Sequence, residues 1–398
     1  MIGVGRSDRD DRRAAPATAE GGEADLDHER ACWIAFSLVP GLGPAGFAVL
    51  VRRHGSAAAA WAAGPEALAE LPRLPAEAGT AFARLRRSGA KRVARGIEAA
   101  THALGGRVVT RLDRDYPPRL RGLDPPPPVL HIAGDAEALM CRAVAIVGTR
   151  RPTGYGLTVA AELADELARA GVAIVSGLAL GIDAAAHRGA LAAEGRTVAV
   201  LPSPLGRIYP PRHRALAAEI RRRGGALVTE LAPGHVVGRP DFARRNRIIA
   251  GLAEAVVVVE APDRSGALLT AAAAVSLGRE LYAVPGPIHA VPSRGPNRLI
   301  ADQQARLVTS SIALLHEVGV RRGELPPSVQ NLSEPEALLL QNLLVQSGSI
   351  EELIDRSHLS AGAVAGALTL LEARGLVSAF GGVTFHPTLA ARRMARIA

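Results

Sequence analysis

The stretch VAIVGTRRPTGYG at 144–156 runs from an apolar segment straight into glycine, threonine and two adjacent arginines, Arg150 and Arg151. Guanidinium forks bind phosphate through paired N–H donors, and small residues let a backbone approach closely enough to donate its own N–H groups. The loop is equipped to hold an anion. It is no dinucleotide fingerprint, since G-x-G-x-x-G is missing, and no P-loop, since no GK[ST] follows. Similar chemistry recurs downstream. SGLALGIDAAAH (176–187) starts with the small turn residues Ser176 and Gly177 and places Asp183 and His187 one helical turn apart. Arg244, Arg245 and Arg247 surround Asn246 at a helix start, DFARRNRIIAGL (241–252). Ser265-Gly266 opens another helix, whose free N–H groups form an anion site.

Carboxylates able to hold a metal or to act as acid and base are sparse, with Asp183, Glu230, Glu260 and Asp263 scattered along the chain. Asp183 is expected to mimic an anion at its helix start, His187 to lie at the surface, and Glu260 to pair with a nearby arginine. No catalytic residue, metal site or cofactor is assigned. A repeated phosphate-cradling surface suits a polyanionic chain better than one small substrate.

Short β-branched runs must carry these loops: VVTRLD (108–113), VLHIAG (129–134), VAIVGT (144–149), VAIVSG (172–177), TVAVLP (197–202), ALVTEL (226–231), AVVVVE (255–260) and ELYAVPG (280–286). From Val144 onward they alternate with alanine-rich helical stretches, the pattern of a parallel sheet covered on both faces. The expected fold class is α/β, a doubly wound, mostly parallel sheet over 106–320, with ligands collecting outside the carboxyl ends of its strands.

Residues 29–105 read as a helical domain, in which the PGLG turn of LVPGLGPAGFAVLVRRHG (38–55) is similar to a helix-hairpin-helix. Arg52 and Arg53 follow that turn. Residues 321–334 form a polar, proline-containing linker, and 335–388 read as three helices and a hairpin, a winged helix-turn-helix. Its would-be recognition helix, SAGAVAGALTLLEARG (360–375), presents small apolar residues, so a protein contact is expected there rather than a base contact.

Composition narrows the class. The 398 residues are 48% hydrophobic but only 3% aromatic, with a formal charge of +9 and a single lysine, Lys91. A basic excess favours nucleic acid, although arginine and alanine enrichment also follows from a GC-rich coding sequence. Cys32 and Cys141 lack metal-ligand spacing. Residues 1–28 are polar, without the apolar core of a signal peptide, and read as a disordered tail. No apolar run reaches the roughly 18–20 residues of a membrane span, so a cytoplasmic protein without membrane insertion is expected.

VAIVGTRRPTGYG, VSGLALGIDAAAHRGAL, RRNRIIAGL, SGALLTAAAAVSLGRELYAVPG and SRGPNRLI together resemble the DNA-processing protein A family, also called DprA or Smf, in order and over most of 144–300. DYPPRLRGLDPPPPVLHIAGD (115–135) is similar to the family's entry segment. The resemblance implies an extended Rossmann-like core between a sterile-alpha-motif-like helical domain and a winged helix. It also implies non-catalytic binding of single-stranded DNA, a homodimer through the core, and delivery of incoming strands to RecA during natural transformation.

Gly148, Thr149, Arg150, Gly154 and Gly156 match the family's first loop, and Ser176, Gly177, Gly181, Asp183 and His187 its second. Arg245, Asn246, Arg247, Ser265, Gly266, Ser293, Gly295 and Asn297 match the rest. Pro202-Ser203-Pro204, His213 and Gln303 depart from the family pattern. A rival class, the Rossmann-like nucleotide phosphoribohydrolases, carries a PGGxGTxxE stretch that is missing here, the nearest element being VPGPI at 284–288.

Overall fold

The computed structural model describes residues 19–69, 71, 74–318, 332–380 and 384–388. The chain divides into two compact units, Met1–Arg321 and Arg322–Ala398. The first begins with six helices, α1 (Ala19–Phe36), α2 (Pro44–His54), α3 (Ala57–Ala63), α4 (Glu66–Ala69), α5 (Glu77–Ser88) and α6 (Ala90–Ala103).

Both tryptophans and three phenylalanines gather here. Phe36 stacks on Phe82 at 4.9 Å and meets Trp61 edge-on at 5.4 Å, while Trp33 meets Phe47 at 4.8 Å. Aromatic pairs of this kind add specific geometry to a large buried area. Glu29 carries the start of α3, accepting the N–H groups of Ala57 at 2.8 Å and Ala58 at 2.7 Å. Val108 and Val129 join this core from the sheet, so the helical part belongs to the same unit as the strands.

Helix α1 begins inside the tail expected over 1–28. Residues 19–28 are helical, and residues 1–18 lie outside the described ones. The buried stretch Ala31–Phe36 anchors the helix, and each further residue adds one hydrogen bond to a turn already nucleated. Asp27 then pairs with Lys91 of α6 at 2.9 Å.

The sheet contains β1 (Gly106–Thr110), β2 (Val129–Gly134), β3 (Ala143–Val147), β4 (Ala173–Ser176), β5 (Thr197–Val200), β6 (Ala226–Thr229), β7 (Ala255–Val258), β8 (Glu280–Ala283) and β9 (Arg306–Leu307). Their order is β1-β2-β6-β5-β4-β3-β7-β8-β9. Pairing is parallel throughout except where β2 meets β1 and β6. The eight apolar runs are all strands. The two-residue β9 was not foreseen, because Arg306 and Leu307 carry no alternation to read.

Alternation divides β3 between two cores, Ala145 and Val147 on one face and Val144 and Ile146 on the other. Helices α7 (Gly154–Arg169), α8 (Ile182–Ala192), α9 (Arg214–Arg222), α10 (Arg239–Leu252), α11 (Gly266–Ser276), α12 (Arg294–Ala301) and α13 (Ser311–Glu317) complete the unit. The chain winds outward from β3 to β6 and then returns to β7 on the other side of β3. That reversal opens a crevice at the carboxyl ends of β3 and β7.

The second unit is a winged helix. It contains α14 (Glu334–Val345), β10 (Gly348–Ser349), α15 (Ile350–Ser357), α16 (Ala361–Ala373), β11 (Val377–Phe380) and β12 (Thr384–Pro387), with strand order β10-β12-β11. Leu339, Leu343, Leu353, Val364, Leu368 and Leu371 fill its core. Of the expected linker, 321–331 lies outside the described residues, and α14 begins at Glu334. Gly381-Gly382 of the expected hairpin also lies outside them.

Candidate nucleic-acid interface

A cleft of 670 Å³ opens at the switch point. Its floor is the loop after β3, with Gly148, Thr149, Arg150 and Arg151. One wall is the first half of α10, with Arg239, Phe242, Arg245 and Asn246. The other is the start of α11, with Ser265, Gly266 and Leu269, next to Val291 and Pro292.

Buried polar groups fix these loops. The Asp183 carboxylate accepts the N–H groups of Gly177 at 3.0 Å and Ala179 at 3.3 Å, and that of Gly148. Burial pushes its pKa up, and the Arg245 guanidinium and the three N–H donors pull it back. Arg245 itself is buried. Its Nη1 donates to the carbonyl oxygens of Gly177 at 2.5 Å and Val200 at 2.6 Å, and its Nε to Asn246 Oδ1 at 3.1 Å. Burial brings its pKa down to about 10, so it stays charged at neutral pH. Asn246 passes the constraint on, donating from Nδ2 to Gly266 O at 3.1 Å. Gly148 admits no side chain, because a Cβ there would lie 2.5 Å from Ile182 Cγ1 and 2.8 Å from Glu260 O.

Two expectations about these side chains are corrected. His187 is buried rather than superficial, and its Nδ1 lies 2.7 Å from Thr197 Oγ1. That hydroxyl donates to Ile174 O, and burial drives the imidazole pKa to about 3, so it is neutral. Glu260 takes no arginine. It accepts Thr153 N at 2.9 Å and the Thr153 hydroxyl, and lies against Gly156, where a Cβ would be 2.4 Å from the carboxyl carbon. The chain's own carboxylate therefore occupies the N-terminus of α7, the place where the helix dipole favours negative charge.

Of the expected site residues, Gly148, Thr149, Arg150, Arg151, Arg245, Asn246, Ser265 and Gly266 come together around the cleft. Gly177 lines a small hollow beside it, together with Arg150, Tyr209 and Phe242. Six do not line it. Gly154 and Gly156 belong to the closed start of α7. Ser176 Oγ donates to Ile146 O at 2.7 Å and ties two strands together. Ser293 is buried against Gly286, and Asn297 brackets the same glycine, accepting its N–H at 3.1 Å and donating to its carbonyl at 2.9 Å. Arg247 pairs with Glu230 and donates to Pro125 O at 2.8 Å. A seventh, Arg244, faces Asp241 at 3.7 Å and approaches Gly43 of the PGLG turn.

The structure adds residues that the sequence reading passed over. Arg239 is exposed at the start of α10, and Phe242 follows one turn later on the same face. The Arg150 guanidinium lies over the Phe242 ring, 5.6 Å from its centroid, and Tyr209 meets that ring edge-on at 5.3 Å. Helical spacing alone would have put Arg239, Phe242 and Asn246 on one stripe. Arg150, Arg151 and Arg239 are exposed, and none carries an ion pair among the described residues. No group of three or more His, Cys, Asp or Glu side chains there could hold a metal ion.

Comparison with known proteins places this architecture. The family model for DNA recombination-mediator protein A matches residues 107–319, and that for the DprA winged helix domain matches residues 323–382. The chain belongs to the DNA recombination-mediator protein A family. Protein Smf of Escherichia coli strain K12 is 38% identical over 276 residues, covering 67% of this chain and 74% of that protein. DNA processing protein DprA of Bacillus subtilis strain 168 is 38% identical over 226 residues, covering 56% of this chain and 75% of the relative. The X-ray structure of DNA processing protein A from Streptococcus pneumoniae superposes with a TM-score of 0.55 at 28% identity, over 72% of this chain and 95% of that one. As a DprA-family protein this chain has a DNA-processing role, and the family's core and winged helix are both present in it. No helix among the described residues is long and apolar enough to cross a membrane.

Proposed function

We propose that the cleft binds single-stranded DNA without cutting it. One observation carries the reading. Three exposed arginines, Arg150, Arg151 and Arg239, with no ion pair among the described residues, line the cleft at the sheet's switch point beside half-buried Phe242 and exposed Tyr209. Guanidinium groups take successive phosphates, and an aromatic face takes an unstacked base, worth about 1–3 kcal/mol per base. Bases in a duplex are already stacked and cannot use that face. Few side chains in the cleft suit base edges, so sequence preference is low.

The non-catalytic part of the reading rests on the carboxylates. Asp183 and Glu260 are both buried and both engaged by backbone N–H groups, which leaves neither oriented to move a proton for a bound chain. A nucleotide phosphoribohydrolase would need such a group at the sugar. The reading extends to strand delivery to RecA, to a homodimer through the sheet-bearing unit and to the cytoplasm, as family membership suggests.

A mobility-shift comparison of single- and double-stranded oligonucleotides across salt concentrations tests it, with nucleoside monophosphates as the control substrate. Preference for the single strand and a steep salt dependence are expected. Equal affinity for the duplex, or release of a free base, overturns the reading.

A further inference from the structure

Some exposed arginines of this chain stand against a carboxylate. Arg107 pairs with Asp115, Arg169 with Asp165, Arg298 with Asp263 and Arg306 with Glu317. Others do not, and four of these gather at one corner of the helical part. Helices α5 and α6 meet at Ser88-Gly89, and on either side of that turn stand Arg84, Arg87, Arg92 and Arg95, all exposed. Among the described residues none of the four carries an ion pair, and the one carboxylate whose charge reaches them, Asp27 near Arg95, is already paired with Lys91 at 2.9 Å. Arg84 and Arg87 are neighbours on one helix face, as are Arg92 and Arg95, so like charges face each other within each helix and across the turn. The first turn of α6 holds no acidic residue, and Arg92 sits near the end of the helix where the dipole opposes a cation. This concentration of charge costs stability in the free protein, and a polyanion would relieve the cost.

We propose that this corner is a second nucleic-acid contact, holding the sugar–phosphate backbone of the strand whose other part lies in the cleft. The inference rests on the reading of the cleft as a single-stranded DNA site. The chemistry of the corner favours a phosphate backbone over a protein. Its exposed residues are Arg84, Arg87, Ser88, Arg92 and Arg95, with Lys91 at the rim. It presents no exposed large apolar or aromatic side chain of the kind that forms the centre of a protein interface. Long basic side chains without apolar anchors position a backbone and read no sequence.

The corner is also well separated from the cleft. Helix α6 packs on β1, which lies five strands from β3 in the sheet. At a spacing of about 4.8 Å per strand, that is roughly 24 Å. An oligonucleotide that only fills the cleft does not reach the corner. A longer one does.

The test uses the full chain, oligo-dT of increasing length and fluorescence anisotropy at several salt concentrations. Arg84, Arg87, Arg92 and Arg95 are replaced together by Gln, and in a second variant together by Lys. The shortest oligonucleotide that the wild type binds is expected to bind the Gln variant equally well. Longer ones are expected to bind about tenfold more weakly, with a salt slope smaller by about 2–3 in log–log units, at 0.7 per lost phosphate contact. The Lys variant, which restores the charge, recovers both. Thermal melting of each variant checks the fold.

Wild-type affinity and slope in the Gln variant at every length overturn the proposal, as does a wild-type affinity that does not grow with length. The cleft variant Arg150→Ala/Arg239→Ala separates the two readings. If it loses the short oligonucleotide while the Gln variant loses nothing, the cleft reading stands and the corner falls. If it binds every length as the wild type does, the cleft reading falls, and so does the path drawn from it.

Discussion

Asp183 and Arg245 grip Gly177 from opposite ends, the carboxylate accepting its N–H at 3.0 Å and the guanidinium donating to its carbonyl at 2.5 Å. The two side chains come from α8 and α10, and between them they fix the loop after β4 beside the cleft. Asp183 also holds the Gly148 amide, and Arg245 holds the end of β5 through Val200 O. The four segments bordering the switch point are thereby one rigid body. A Cβ on Gly177 would fall 2.5 Å from the Arg245 guanidinium carbon, so the grip also requires glycine there.

Asp183→Ala leaves three amides without an acceptor and a buried guanidinium without its compensating charge. Loss of one member of such an arrangement costs about 3–5 kcal/mol. Urea unfolding of the variant is the measurement, and a loss under about 1 kcal/mol would show that the grip is dispensable.

The arginines of the cleft and the arginines of the scaffold are expected to separate in binding data. Arg150→Ala and Arg239→Ala each remove an exposed phosphate ligand, which weakens single-stranded DNA binding uniformly across sequences and lowers the salt slope by about 0.7. Arg247→Ala instead leaves Glu230 buried without its partner. Stability falls in that variant while the salt slope holds. A drop in slope for Arg247→Ala equal to that for Arg150→Ala would put Arg247 on the DNA after all.

Much of this was legible in the sequence, and the limits have physical causes. Strands β1 to β8 were legible because continuous β-branched runs fit a sheet buried on both faces. The loop after β3 was legible because two arginines beside glycines add nothing to a turn. Arg245 and Arg247 could not be told apart, since both follow the same motif and differ only in distant partners, Gly177 and Val200 for one, Glu230 and Pro125 for the other. Glu260 was misread for the same reason. Its partner Thr153 lies 107 residues away, and no local pattern says that a carboxylate will close a helix instead of pairing with an arginine.

Gly156 and Gly266 both begin helices but are expected to respond oppositely to alanine. At Gly156 the new methyl meets the Glu260 carboxyl at 2.4 Å, so Gly156→Ala destabilises the start of α7. At Gly266 nothing lies within 4 Å, so Gly266→Ala is neutral to slightly stabilising, by up to about 0.5 kcal/mol. Because Gly266 lines the cleft, its methyl group narrows the path of the strand, and DNA affinity drops although stability does not. Thermal melting and anisotropy on the same two samples decide this, and a destabilised Gly266→Ala would contradict the open space seen there.

Acid is expected to destabilise the first unit through His131 and His187. Burial lowers their pKa values from 6.5 to about 4 and about 3, so the unfolded chain takes up these protons first. Stability is complete above pH 6.5 and is lost as pH falls toward the folded values, by about 2 kcal/mol per histidine at pH 5. Asp183 and Glu230 work in the opposite sense, since burial raises their pKa values and acid relieves the cost of the buried charge. Urea midpoints between pH 7 and pH 5 should show the loss, and His187→Asn should flatten it. An unchanged slope in that variant would rule His187 out as a contributor.

The winged helix is expected to contribute little to single-stranded DNA affinity, because its recognition helix offers nothing that a groove or a phosphate could use. Over its first turns the exposed side of α16 consists of Ala361, Gly362, Ala365, Gly366, Thr369 and Leu370, with Glu372 and Ala373 exposed at its far end, and a Cβ at either glycine would meet open space. A reading helix presents Arg, Lys, Asn or Gln over its first turns. The nearest basic residue, Arg374, lies past the far end of the helix and pairs with Glu336 at 3.1 Å. Between Glu334 and Pro387 the sequence holds six acidic residues, Glu334, Glu336, Glu351, Glu352, Asp355 and Glu372, against two arginines, Arg356 and Arg374. That stretch carries more acidic than basic residues and does not attract a phosphate chain, and deleting residues 332–398 also removes Arg392, Arg393 and Arg396, which follow it. The small, uncharged face over the first turns of α16 suits close packing against a protein. Deletion of residues 332–398 should leave single-stranded DNA affinity within a few-fold, measured by anisotropy at fixed salt. A hundredfold loss, about 2.7 kcal/mol, would mean that the domain binds DNA despite its charge.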